Sequence, residues 1–315
     1  MKVVFFGTPA FSCPFLQALI KDENIDVVSV FSQPDKAAGR GGNVQPCAVK
    51  LLAQDHLIPV HTPKSLKTDA NISEILNNHE ADLFVVVAYG KILPAAILDI
   101  PKLGAINVHP SLLPRHRGPS PMQGAIELGD TQTGVAIMLL DEGMDTGPIL
   151  ATETIDIDES ETYSSLEQKV HLHGPQLLVE TLHRYAVGQI QPVEQDDSKA
   201  TLTQLLHRED GHVVWSQTMG EIERKSRAWE KWPGLWSMWD RSRGVCLRLK
   251  FLEMKPVDFV ADVPPGTATT HEGKLFVDCS NGTLEILQIQ LEGKPKMNAG
   301  AFIQGYPDIN GALLT

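Results

Sequence analysis

The chain has 315 residues, 42% of them hydrophobic and 21% charged, a size that calls for about two domains and a composition that excludes a fibrous, collagen-like or wholly disordered protein. The net charge of −12 by itself disfavours a nucleic-acid partner, because phosphate contacts need local positive charge. The charge is uneven, however: acidic residues outnumber basic ones across residues 1–207, whereas 208–315 is nearly balanced and so permissive for RNA.

Short apolar runs at 3–6, 27–31, 83–88, 105–108 and 135–140 predict strands, alternating with helices at 11–21, 47–55, 72–78, 122–128 and 162–186. Alternation of this kind builds βαβ units, so residues 1–189 are expected to form a doubly wound α/β domain with a parallel sheet. Gly188-Gln-Ile-Gln-Pro192 and Gln195-Asp-Asp-Ser-Lys199 break the pattern with turn-forming and polar residues, which reads as a linker over 190–208. Residues 209–315 begin with a helix at 218–229 and continue in short alternating runs at 246–252, 274–277 and 284–289. Pro264-Pro-Gly266, Asn281-Gly282 and Gly293-Lys-Pro295 punctuate them, and Asn-Gly between apolar runs favours a hairpin, so a small β-barrel is expected.

No apolar run approaches the roughly 18–20 residues that cross a bilayer, and the patch at 3–6 is too short for a signal-peptide core. A cytoplasmic protein is expected, with a monomer as the default. Cys13, Cys47, Cys246 and Cys279 lie far apart with no CxxC pair, which argues against a zinc ribbon or a disulfide scaffold, and no metal site is expected.

Gly7-Thr-Pro9 follows the first strand without the GxGxxG that lets a dinucleotide pyrophosphate approach the backbone, so it reads as a tight strand-to-helix turn. In the segment 34–43 Arg40 stands among Gly39, Gly41 and Gly42, which suits a loop that orders on a partner and equally a plain mobile loop. The strongest signal is Asn107-Val-His109, whose i, i+2 spacing puts an amide and an imidazole on one face at a strand's carboxyl end, where open α/β sheets bind ligands. A lone histidine there is more often structural. The paired asparagine and the proline-braced loop behind it, Pro110-Ser-Leu-Leu-Pro114, shift the balance toward a site.

Asp145 lies in the loop 141–148 after the next predicted strand and can serve the same crevice or merely its turn. An amide for a developing oxyanion, an imidazole that exchanges protons near neutral pH and a carboxylate to orient it suit acyl transfer to an amine. No Ser or Cys stands beside a base, so direct transfer is simpler than a covalent intermediate. The cluster Trp229, Trp232, Trp236 and Trp239 is read as core rather than as a platform for stacking bases.

With Gln33-Pro-Asp35, Ala38-Gly-Arg-Gly41, Val85-Val-Val-Ala-Tyr-Gly90, Ser111-Leu-Leu-Pro-Arg115, Arg117-Gly118, Asp145-Thr-Gly147, Trp232-Pro-Gly234, Pro264-Pro-Gly266 and Gly305-Tyr-Pro307, these residues resemble the folate-dependent formyltransferases. Along essentially the whole chain the resemblance is to the methionyl-tRNA formyltransferases among them. It implies a Rossmann-like N-terminal domain, an OB-like C-terminal barrel that binds tRNA, and formyl transfer from 10-formyltetrahydrofolate to the α-amine of methionyl-initiator tRNA. Carried over by residue, it implies Asn107, His109 and Asp145 as catalytic groups. It implies Ser111, Leu112, Leu113 and Pro114 as folate contacts, with backbone around Ala88, Tyr89, Gly90, Ile92, Leu93, Leu140 and Asp141 framing the pterin.

The resemblance further implies tRNA contacts from Lys36, Arg40, Arg115 and Arg117, and no membrane partner. Pro110 and His116 depart from the commoner residues of the motif, and Gly42-Asn-Val-Gln45 replaces a basic run. Two competing readings are a formyltransferase or formyl-folate hydrolase acting on another acceptor, and a non-catalytic RNA-binding adaptor.

Overall fold

The computed structural model describes residues 1–38, 43–69, 71–241, 245–258 and 263–315. It divides into two units, the first comprising Met1–Pro121, Gln132–Asp156 and Glu167–Thr203, the second Met122–Thr131, Ile157–Leu166 and Gln204–Thr315. The first unit carries strands β1 (Lys2–Gly7), β2 (Asp26–Phe31), β3 (Lys36–Ala38), β4 (Asn43–Gln45), β5 (Val60–His61), β6 (Leu83–Val87), β7 (Ala105–His109), β8 (Gln132–Leu139) and β9 (Ile149–Asp156). Seven of them form one sheet in the order β5-β2-β1-β6-β7-β8-β9, while β3 and β4 pair as a separate hairpin.

Strand β1 from Val3 onward and all of β6 are buried because neighbours flank them on both sides and both sheet faces are covered, which is why they read as unbroken apolar runs. The helices in chain order are α1 (Cys13–Lys21), α2 (Ala48–Asp55), α3 (Asn71–Asn78), α4 (Ala95–Leu98), α5 (Pro121–Leu128) and α6 (Tyr163–Ala186). A proline in the first turn starts α1, and its buried face is Phe15, Leu16 and Leu19, the spacing of one helical stripe.

The sheet is Rossmann-like but mixed. Pairings β1·β2, β1·β6, β2·β5 and β6·β7 are parallel, whereas β7·β8 and β8·β9 are antiparallel. The edge strand β9 escapes the sequence reading because exposed Thr152, Thr154 and Asp156 on its outer face, with Glu153 between them, break the apolar run. The reversal matters for the site, because the carboxyl end of β8 lies beside the amino end of β7, with Leu139 opposite Ile106 and Ala136 opposite His109. The loop 140–148 therefore leaves the sheet next to Ala105, whose carbonyl accepts from Leu140 N at 2.7 Å.

The second unit holds α7 (Met219–Ala228), β10 (Leu235–Arg241), β11 (Val245–Val257), β12 (Ala268–His271), β13 (Lys274–Asp278), β14 (Thr283–Leu291), β15 (Met297–Asn298) and α8 (Ala299–Gly305). Its antiparallel sheet, β10-β11-β14-β13-β12 with β15 on β14, curls into an OB-like half-barrel. Residues at the C-terminus pair with both ends of the curl, Leu314 bridging Trp239 of β10 and Leu313 bridging Thr267 just before β12, which leaves less edge open to intermolecular pairing. Thr218 and Glu221 form a capping box on α7. Of the tryptophans, Trp229 and Trp239 are core as expected, whereas Trp232 is 51% exposed.

Residues 190–203 of the expected linker belong to the first unit. Val193 exchanges both backbone hydrogen bonds with Ile149, and Thr201 and Thr203 bond the segment 116–118, contacts that polar composition alone does not reveal. Among the described residues no helix is long and apolar enough to cross a membrane, and no cluster of three or more His, Cys, Asp or Glu could hold a metal ion. The four cysteines are free thiols.

One pair of half-buried histidines is expected to respond to acid. His61 stacks on Phe31 at 4.8 Å and meets His79 edge-on at 5.9 Å, and the Nε2 atoms of both are buried without a partner among the described residues. Burial depresses both imidazoles, His79 adding to the effect on His61 and Lys2 to that on His79. With folded pKa values below the unfolded value of about 6.5, the unfolded chain binds more protons on acidification, so their contribution is intact above that pH and is lost below it. The expected thermal midpoint is flat from neutral pH upward and falls as pH drops, with a shallower fall in His79→Gln. An unchanged slope in that variant would remove the pair from the explanation.

Candidate active site

β7 supplies the centre of the site. Ala105, Ile106 and Val108 are packed in the sheet, which fixes the strand and sends Asn107 and His109 to one face. Asn107 pairs with Val86 on one side and Met138 on the other. It is half-buried, and its amide makes no hydrogen bond with the described residues.

His109 is buried, 4% exposed. Its Nε2 lies 2.9 Å from the carbonyl of His116, and since a carbonyl can only accept, Nε2 carries the hydrogen and donates it. The other nitrogen, Nδ1, faces Asp145 Oδ2 at 3.6 Å. Burial pushes the imidazole below its usual pKa, with the Asp145 carboxylate and the His116 carbonyl working in the opposite direction. The resting imidazole is therefore neutral at pH 7, with the Nδ1 lone pair turned toward the carboxylate.

Two loops set this pair. In 110–118, Ser111 Oγ donates to Arg115 O at 2.7 Å and His116 has φ of 58°, so the chain turns back and brings the His116 carbonyl to His109. Gly118, at φ of 112°, approaches Thr203 so closely that a Cβ would stand 2.6 Å from its carbonyl oxygen. Only glycine fits there, and its N–H donates to Asp145 Oδ2 at 2.7 Å. In the second loop Asp141 accepts from Gly143 N at 2.9 Å and from Thr146 Oγ1 at 2.8 Å, bracing the turn that carries Asp145 at φ of 56°.

The expected folate contacts divide. Tyr89 and Leu93 are buried in the apolar cluster with Phe6 and Phe84, where burial raises the Tyr89 hydroxyl to about 12. Ala88 and Gly90 have positive φ, and the carbonyls of Tyr89 and Gly90 accept from Gln33 Nε2, so this stretch offers backbone rather than side chains. Ile92 is exposed. A cavity of about 460 Å³ lies along Leu98, Leu103, Gly104, Leu139, Leu140, Asp141 and Glu142, among others. Of the expected contacts, Leu140 and Asp141 line it. Leu113 instead packs on Ala136 and Met138, Ser111 is buried, and Leu112 and Pro114 are half-buried.

The expected tRNA contacts divide as well. Arg40 lies outside the described residues, Lys36 pairs with Gln45 in the β3–β4 ladder, and Arg115 is exposed. Arg117 is 5% exposed, and its guanidinium donates inward to Gln195 Oε1 at 2.9 and 3.1 Å and to Asp197 Oδ1 at 2.7 Å. That placement removes it from the solvent-facing cations. Gln195, Thr201 and Thr203 were not anticipated, because polar residues in a linker and polar residues bracing a loop look alike in composition.

Residues 1–182 match the family model described as formyl transferase, and residues 205–307 match that of the formyl transferase C-terminal domain. A methionyl-tRNA formyltransferase of Roseiflexus sp. (strain RS-1) is 43% identical over 306 residues, covering 97% of this chain and 92% of that protein. The chain belongs to the methionyl-tRNA formyltransferase family. The methionyl-tRNA formyltransferase of Chloroflexus aurantiacus (strain ATCC 29366 / DSM 635 / J-10-fl) is 40% identical over 307 residues and 97% of each chain. Among solved structures, HypX from Aquifex aeolicus in complex with tetrahydrofolic acid superposes with a TM-score of 0.62 at 16% identity, over 97% of this chain and 47% of that one. This chain spans about half the length of HypX, and the likeness concerns the fold.

Proposed function

We propose that this methionyl-tRNA formyltransferase family member transfers the formyl group of 10-formyltetrahydrofolate to the α-amine of methionine on initiator tRNA, with Asn107, His109 and Asp145 as its catalytic residues. The observation that carries the reading is the convergence of a half-buried amide with no partner among the described residues, a buried neutral imidazole and a carboxylate 3.6 Å from it, the carboxylate standing on a loop whose first residues line a cavity of about 460 Å³. That volume falls within the range of small-molecule sites.

The reaction forms a bond from the amine nitrogen to the formyl carbon, breaks the bond to folate N10, and moves one proton from the first nitrogen to the second. Asn107 supplies a positioned N–H donor to the oxygen that gains charge on attack. His109 Nδ1 accepts the proton from the amine and returns it to N10. While it holds that proton, Asp145 becomes the counter-ion of an imidazolium, a stabilisation absent from the neutral resting state and so spent on the transition state. Nε2 stays committed to His116 O throughout and keeps the ring oriented.

Lys36, Arg40 and Arg115 are proposed as tRNA contacts, alongside the OB-like unit. Since one chain supplies all three catalytic groups, a monomer suffices, and a cytoplasmic setting suits these substrates and four free thiols. The test is incubation with 10-formyltetrahydrofolate and Met-charged initiator tRNA, with elongator Met-tRNA in parallel. Formyl-methionine recovered chiefly from the initiator is the expected result. Release of tetrahydrofolate with neither tRNA formylated would overturn the acceptor assignment.

A further inference from the structure

We propose that Gln195 is a positioning residue that sets Asp145 against His109 by clamping the two loops of the site together. The inference rests on the reading of Asp145 and His109 given above.

Every polar group of the Gln195 carboxamide is committed. Its Nε2 donates to the carbonyls of Asp145 at 2.9 Å and Gly147 at 2.7 Å, while its Oε1 accepts two N–H groups of Arg117. Arg117 is itself held by backbone, its N–H donating to Thr201 O at 2.9 Å and its carbonyl accepting from Thr203 N at 2.7 Å. His116 N donates to Thr201 Oγ1 at 2.8 Å. The segment 195–203 thus grips the loop that presents the His116 carbonyl to His109 and the Gly118 N–H to Asp145, and through Gln195 it grips the Asp145 loop as well.

The clamp has a task that chain connectivity alone does not perform. Asp145 occupies left-handed backbone at φ of 56°, a conformation that persists in a non-glycine residue only when its surroundings over-determine it. Two carbonyls within three residues, both tied to one amide nitrogen, fix the peptide planes that follow Asp145 and Gly147. Glutamine is the residue the position needs: a carboxylate would satisfy Arg117 but set its own oxygens against two carbonyl oxygens. Asp197 takes a further hydrogen bond from Arg117 but is itself 83% exposed and makes no bond to the Asp145 loop, which makes it the internal control.

The experiment compares Gln195→Glu, Gln195→Ala, Asp197→Ala and Asp145→Ala in the formylation assay, with thermal unfolding of each. The expected result for both Gln195 variants is a kcat lower by about 10- to 100-fold, the scale of a displaced reacting group, with KM for either substrate little changed. Their acid limb should also move to lower pH, because the Asp145 carboxylate is the charge that raises the His109 pKa against burial and against the neighbouring His116 imidazole. Asp197→Ala should keep wild-type kcat and profile. Gln195→Glu retains the Arg117 pairing, so it reports on the clamp even if Gln195→Ala fails to fold. Wild-type kcat and pH profile in Gln195→Glu, with Asp145→Ala impaired, would overturn the clamp alone; so would equal losses in Asp197→Ala and Gln195→Ala. Wild-type turnover in Asp145→Ala would overturn the site reading itself.

Discussion

Replacing His109 by alanine is expected to lower kcat by about 10³-fold, within the range that a positioned acid–base group contributes, and to leave KM for both substrates nearly unchanged. The loss falls on kcat because Nδ1 gains its charge only during proton transfer, so its interaction with Asp145 belongs to the transition state and not to the bound substrates. Folding should survive, because the side chain makes a single hydrogen bond with backbone, at His116 O. A companion measurement fixes the protonation state. The imidazole pKa is depressed by burial, so its proton-accepting form persists below the ordinary value of about 6.5 and kcat should hold through that pH before falling. Wild-type turnover in His109→Ala, or an acid limb lying above the ordinary histidine pKa, would remove the imidazole from the role of proton carrier.

The parts of this molecule legible in sequence are those where one residue's chemistry and its local spacing decide the outcome. Asn107 and His109 share a face because strands alternate, and nothing elsewhere in the chain can change that. The buried strands β1 and β6 announce themselves as apolar runs for the same reason. Asp145 was reached by a less direct route: the sequence suggests neighbouring parallel strand ends, whereas β8 runs antiparallel to β7 and its loop starts beside Ala105. Asp145 meets His109 because Gly118, Gln195 and the Asp141 turn steer it there.

Those steering contacts span up to about 86 residues of sequence, as between Arg117 and Thr203, and leave no periodic trace. Arg117 illustrates the limit from the other direction. A cation in a polar loop reads as solvent-facing, and only the presence of Gln195 and Asp197 around it makes burial affordable. The folding of 190–203 into the first unit has the same origin, in specific hydrogen bonds that composition does not encode.

Asn107→Ala is expected to reduce kcat by about 10²- to 10³-fold, the cost of deleting one donor to a developing oxyanion, with an unfolding midpoint close to that of the wild type. The two halves of that expectation come from one observation. An amide that bonds to none of the described residues contributes little to folding and is free for a ligand oxygen, so its removal separates catalysis from stability more cleanly than any other substitution in the site. Asn107→Asp sharpens the test: it preserves shape but replaces the donor with an acceptor and adds negative charge on the face it shares with His109. If the amide acts by donating, Asp should be at least as damaging as Ala. Were Asp to retain activity that Ala loses, the side chain would be serving shape rather than the oxygen, and stabilisation of that oxygen would have to come from His109 or from the backbone.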